Sequence, residues 1–378
     1  MKYALSLTLL FALACNDTTG PGQLSDPAAL NTELDAVNAA FDTPVFESFD
    51  RLGSHLTTNA GALARTATIV IRDRGGNEWA NTGGVAQPLA TNAQAARELV
   101  ALATAFQTLS PQDTFLPDSV LGTYEWDVNT DQYAKTARAG APANTVRFIL
   151  YATDPITHLP IEPLDEVGYV DLTDNQPAGV GTYSLGVIVR DSAGTTTYLD
   201  YDVTVVAGAS SFAASASGFV GNGASGPALR RLDFAVQFTA TGTASAGTAS
   251  VDAQFSLTPS GVMVELHDDA TISGNTVTFT RDFRFHRPGE VIQIVGNVTI
   301  TETAPGTFAI TIDVVVTVNS RVFATVTGST GTGITVTGPG GHQLTAQESA
   351  VLNRLLDLPN DLFDVAEDLF EPAENATP

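Results

Sequence analysis

The sequence predicts a mainly β protein with flanking α-helices, an α+β chain whose large, twisted antiparallel β-meander curls around amphipathic helices from both of its ends. Three observations predict it. Apolar and polar residues alternate with period two, segment after segment, from about Val120 to Val336. Turn signals divide those segments at nearly even spacing. The stretches on either side carry apolar residues at helical spacing, with no partner for them in their own region. A β-sandwich is the alternative, because a sheet with one apolar face must cover it somehow.

Near its start the chain carries Lys2 and an uninterrupted run of apolar or small residues from Ala4 to Ala14, followed by the sole cysteine, Cys15. Roughly 7–15 apolar residues suit the core of a secretory signal, whereas a membrane-spanning helix needs about 20. The polar, Gly- and Pro-containing stretch after Cys15 reads as a flexible tether. The expected organisation is a signal peptide at 1–14, a tether at 15–23, a helical region at 24–117, the sheet at 118–337, C-terminal helices at 344–370 packing on it, and a disordered tail at 371–378.

In the helical region, Asp26-Pro27 is a start signal, since Asp accepts from free N–H groups and Pro is tolerated in the first turn. Leu30, Leu34, Val37 and Phe41 then form one stripe. Thr43-Pro44 starts a second helix, with Val45, Phe49, Leu52 and Leu56. A third begins at Thr91, with Leu99, Leu102, Phe106 and Leu109 as its stripe; "TATIVIRDRGGNEW" between them reads as a strand and turn.

Within the sheet region, Tyr183, Leu185, Val187 and Val189 share one face. So do Leu199, Tyr201, Val203 and Val205, then Leu232, Phe234, Val236 and Phe238, then Ala249, Val251, Phe255 and Leu257. Ile292, Ile294, Val298 and Ile300 repeat the pattern, as does Phe308 through Val318. "PSG", "SGN", "RPG", "APG" and "NSR", starting at 259, 273, 287, 304 and 319, mark hairpin turns. After the sheet, Thr345 and Glu348 have capping-box spacing ahead of Val351, Leu352, Leu355 and Leu356.

Ala12-Leu13-Ala14-Cys15 resembles the lipobox of bacterial membrane lipoproteins, with Ala12 and Leu13 in the reverse of the usual order. That resemblance implies acylation of Cys15, cleavage before it, and a place in the cell envelope, on the periplasmic face or the cell surface. "GTYSLGVIVRDSAGTTTYLDYDVTV" is similar to the closing hairpin of bacterial immunoglobulin-like modules, which supports the sandwich alternative. The expected partners are the membrane, through the anchor, and an apolar or lipid ligand.

A formal charge of -24 repels nucleic acid, so no nucleic-acid partner is expected. The five histidines have no metal-ligand spacing, and no nucleophile elbow or P-loop is present; no catalytic residue, metal or cofactor is expected. Asp127, Asn129 and Asp131 alternate as in a calcium loop, but Gln132 and Arg138 replace its Gly and Glu, and the stretch reads as a polar hairpin tip. His267-Asp268-Asp269 reads as a strand end before a turn, with weak divalent-ion binding as the alternative.

In "TVTFTRDFRFHRP", Arg281 falls on the face of Val277, Phe279, Phe283 and Phe285. A buried unpaired charge costs several kcal/mol, so Arg281 needs a salt bridge, an outward bulge, or an anionic ligand head group. In the last case Tyr124 and Trp126 would line an apolar cavity with it. The functional expectation is therefore a non-enzymatic, lipid-anchored envelope protein that binds a hydrophobic or amphiphilic ligand between curved sheet and helices. The alternative is a structural or adhesive surface lipoprotein with a filled core.

Overall fold

The computed structural model describes residues 22–38, 44–45, 48, 116, 118–154, 157, 159–175, 182–208, 211–243, 245–304, 307–356 and 358. Cys15, the third helix expected in the N-terminal region, all of the second except Pro44, Val45 and Ser48, the C-terminal helical stretch beyond Leu358, and the tail lie outside these residues.

The described residues form a mainly β fold with few helices. Fifteen strands make one open, mixed sheet. They are β1 (Gly122–Asp127), β2 (Gln132–Thr136), β3 (Thr145–Tyr151), β4 (Glu166–Asp174) and β5 (Thr182–Asp191). β6 (Thr197–Ala207), β7 (Ser211–Gly221), β8 (Arg231–Thr243), β9 (Ala246–Thr258) and β10 (Val262–Ser273) follow. β11 (Thr276–Arg287), β12 (Glu290–Ala304), β13 (Thr307–Val318), β14 (Arg321–Ser329) and β15 (Gly333–Thr337) complete it.

From β3 to β15 each strand pairs antiparallel with the next, the arrangement that short turns enforce. The turns fall where the sequence signals stand. At Asn319 and Ser320, for example, φ is 49° and 63°, the paired positive values of the tight turn that matches strand twist.

A wholly antiparallel meander is corrected at its start. β1 pairs with β3 in parallel, and β2 takes the sheet edge. The reason is the connection: residues 128–144 contain β2 itself, so the chain returns past its own hairpin and re-enters alongside β1 in the same direction. His267-Asp268-Asp269 is likewise corrected, because it lies inside β10 rather than at a strand end.

Alternation produces one buried face. Leu185, Val187, Val189, Leu199, Tyr201, Phe255, Phe283, Phe285, Ile292 and Val316 belong to a single apolar cluster that runs through the strands from β3 to β14. Trp126, Ile149 and Tyr151 form a second, small cluster. Neighbours Phe148 and Ile149 contribute to different clusters, so this corner of the sheet is covered on both faces.

Helix α1 (Pro27–Asn38) starts as its residues dictate: Asp26 Oδ1 accepts from the N–H groups of Ala28 and Ala29 at 3.0 Å each. Its entry is bolted to the β11–β12 hairpin. Arg287 donates to Glu290 at 2.6 Å, to Ser25 Oγ at 2.9 Å, and to the Asp26 carbonyl and Glu33 at 3.3 Å each. Glu290 in turn accepts from the Ser25 N–H at 2.7 Å.

Helix α2 (346–356) carries a complete capping box. Glu348 Oε2 accepts from the Thr345 N–H at 2.9 Å, and Thr345 Oγ1 accepts from the Glu348 N–H at 3.3 Å. Leu30, Val45, Val351, Leu352, Leu355 and Leu358 are buried in the same cluster as the strands. No described helix is long and apolar enough to cross a membrane.

Candidate functional site

Arg281 stands at the centre of β11 on the buried face, 8% exposed. The register β10↔β11 sets Asp268 directly opposite it. Arg281 Nε donates to both Asp268 oxygens at 2.9 and 3.0 Å, and Nη2 donates to Oδ2 at 2.5 Å. The guanidinium thus has its counter-charge within the protein, in the fork geometry that makes such pairs strong. Adjacent strands bring these two inward charges opposite each other, and the charges meet.

Tyr124 and Trp126 lie elsewhere. Eight strands separate β1 from β11 in the sheet. The Tyr124 ring packs 5.1 Å from Phe148, its hydroxyl donates to the Val120 carbonyl at 3.0 Å, and burial raises its pKa. Trp126 packs edge-on to Tyr133 at 5.5 Å, in the small cluster with Ile149 and Tyr151. No contact described in the structure joins either aromatic to Arg281. Asp127 turns the β1–β2 hairpin tip, accepting from the Asn129 N–H at 2.9 Å.

A group of closely spaced polar side chains is on the opposite, exposed face of β7–β11. A concavity of about 510 Å³ is lined there by Gln237, Asp252, Gln254, Glu265, His267, Asp282 and Arg284, among others. Strand register arranges them in two rows across the sheet. Asp252, His267 and Asp282 face one another in one row, and Gln254, Glu265 and Arg284 in the next.

His267 Nδ1 bonds Asp252 Oδ1 at 2.5 Å and Nε2 bonds Asp269 Oδ2 at 3.1 Å. The bond to Asp252 raises the imidazole pKa, with partial burial opposing it and the charges of Asp252 and Asp269 adding to it. Beside it, His286 Nε2 bonds Glu265 at 3.1 Å, and Arg284 donates to Asp282 at 2.7 Å. Gln293 donates to the other Asp282 oxygen at 2.8 Å.

This surface offers closely spaced donors and acceptors of both charges. Among the described residues, no three His, Cys, Asp or Glu side chains converge as metal ligands. Sequence reasoning singled out His267 and Asp269 only as part of a strand end and passed over the rest of the group, because each member sits at an ordinary outward position. The signal was nevertheless present. Folding the sequence about the turns at 259–261 and 274–275 places residues 252, 267 and 282 side by side. Compared with protein family models, characterised proteins and solved structures, the chain matches none.

Proposed function

We propose that this chain is an exported, lipid-anchored envelope protein of structural or adhesive type, non-enzymatic, with a filled interior and a polar outer face that meets its partners. The observation that carries the reading is the Arg281–Asp268 pair. The one inward cation that a head group was expected to satisfy is already engaged by three hydrogen bonds. The carrier reading, in which a hydrophobic or amphiphilic ligand lies between sheet and helices, needs that charge to be free.

In this reading the sheet curls, and the terminal helices fill its concave side. Fifteen strands laid flat would span about 70 Å at roughly 4.8 Å each, and open sheets rarely exceed about ten strands without curling or splitting. Helices of 12 residues are about 18 Å long, too small to cover such a width. Yet residues from Val146 on β3 to Val326 on β14 are buried in one cluster that includes Leu30 and Val351. A sheet wrapped upon those helices accounts for both facts.

Native mass spectrometry of the protein extracted from its own envelope tests the proposal. The expected spectrum contains the chain and its anchor alone. A stoichiometric co-purified lipid that survives Cys15→Ser would overturn the structural reading in favour of the carrier.

A further inference from the structure

We propose that one particular end of the sheet faces the bilayer, and that it rests on zwitterionic lipid through exposed aliphatic side chains. The inference rests on the anchor reading of Cys15 and adds an orientation to it. Topology defines the end: the turns β1–β2, β3–β4, β5–β6, β7–β8, β9–β10, β11–β12 and β13–β14 all lie there, and the alternate turns lie at the other.

The chain enters the fold at this end. The Gly22 N–H donates to the Val322 carbonyl at the start of β14 at 2.9 Å. Ser25 and Asp26 are held by Arg287 and Glu290 beside the β11–β12 turn. Cys15 precedes Gly22 by seven residues, which even fully extended reach no more than about 25 Å. Strands of 12 residues are about 40 Å long, so an anchored Cys15 keeps this end near the bilayer and leaves the other turns beyond the tether's reach.

A second observation is independent of the tether. Among the described residues eight large hydrophobic side chains are exposed. Val128 in the β1–β2 turn, Leu159 and Ile161 between β3 and β4, Val291 opening β12 and Val322 opening β14 are at the entry end. Val206 is near the opposite end, and Val295 and Val336 lie between. Aliphatic groups gathered at one extremity lower the free energy of contact with an interface by about 25 cal/mol per Å² removed from water. The same end carries Asp127, Asp154, Glu162 and Asp191 beside Arg230, Arg231 and Arg321, and the whole chain is strongly acidic, so anionic headgroups would repel it.

The experiment uses the full acylated chain in phosphatidylcholine vesicles. Single cysteines at Val322→Cys and Leu159→Cys, and at Ser245→Cys and Asn275→Cys on the opposite turns, each carry a fluorophore. Lipids spin-labelled at shallow depth serve as quencher. Expected is quenching several-fold stronger at positions 322 and 159 than at 245 and 275. Equal or reversed quenching in a chain that floats with the vesicles overturns the orientation while leaving the anchor intact. A chain that does not float, or whose Cys15→Ser form floats equally well, overturns the anchor reading and the orientation with it.

Discussion

Replacing Asp268 by Ala strands the Arg281 guanidinium in the apolar cluster. Both side chains are about nine-tenths buried, with exposures of 10% and 7%, so solvent screening offers little relief. Three hydrogen bonds disappear with the carboxylate. Breaking a buried pair from one side typically costs about 3–5 kcal/mol, because the remaining charge keeps its desolvation penalty without its partner. Arg281→Met leaves the buried carboxylate alone and belongs in the same range. The double variant Asp268→Leu/Arg281→Met removes both charges and restores packing, and such exchanges run from neutral to stabilising by about 1–4 kcal/mol. Guanidinium denaturation followed by far-ultraviolet circular dichroism reads all three. The double variant should unfold at higher denaturant than either single variant. Two single variants within about 0.5 kcal/mol of the parent, or a double variant costing their sum, would refute the burial and coupling argued for this pair.

Other perturbations address other parts of the molecule. Glu290→Ala removes the acceptor for Ser25 N–H and one carboxylate from Arg287; a cost of about 3 kcal/mol is expected. Limited proteolysis should then cut within 22–38 before the sheet, and an unchanged cleavage pattern would contradict the clamp. For His267, proton NMR should give a pKa above the ordinary value of about 6.5, falling in Asp252→Asn. A raised folded pKa means that this pairing stabilises fully below about pH 6.5 and that the contribution fades as pH rises through the folded value. Because the imidazole is half exposed, the stability effect should be slight even where the NMR shift is clear. Thr345→Ala removes an exposed cap and should cost about 1 kcal/mol, seen as faster amide exchange in α2 with the sheet signals unchanged.

Much of the sheet was legible because its local rules agree. Alternation assigned the faces of β5, β6, β8, β9 and β12, and each turn signal from Pro259 to Arg321 sits between consecutive strands. Less legible was the start, where β1 and β3 pair in parallel. Nothing in "GTYEWD" or "TVRFILY" states which side of β1 the returning chain will take. Arg281 was visible as an inward charge, but its partner was not: Asp268 belongs to a run of three polar residues, His267 to Asp269, whose alternation is hidden until the register is known. The outer group around His267 was missed for a related reason. Outward polar residues are the norm, and only the lateral stacking of five strands makes them a site.

That difficulty of register also suggests why charges are retained in the apolar face. Threonines face threonines across many pairs, as at Thr241↔Thr248, Thr271↔Thr278 and Thr299↔Thr311. Sliding one strand by two residues would preserve every inward and outward position and exchange one Thr or Val for another, so packing alone discriminates weakly. A two-residue slip of β11 against β10 would put Arg281 opposite Leu266 or Ala270 and Asp268 opposite Phe279 or Phe283. Both charges would then be buried without partners, at several kcal/mol each. On the small-cluster face, Arg147 and Asp171 impose a similar condition on β3 and β4, bonded at 2.6 Å through Nε and Nη2, with the guanidinium 3.9 Å above the Tyr169 ring. These pairs add little to net stability beside an apolar replacement, yet they make one alignment far better than its neighbours. The Asp268→Leu/Arg281→Met variant therefore keeps or raises its denaturation midpoint while its strands lose what distinguishes the native register from the slipped one.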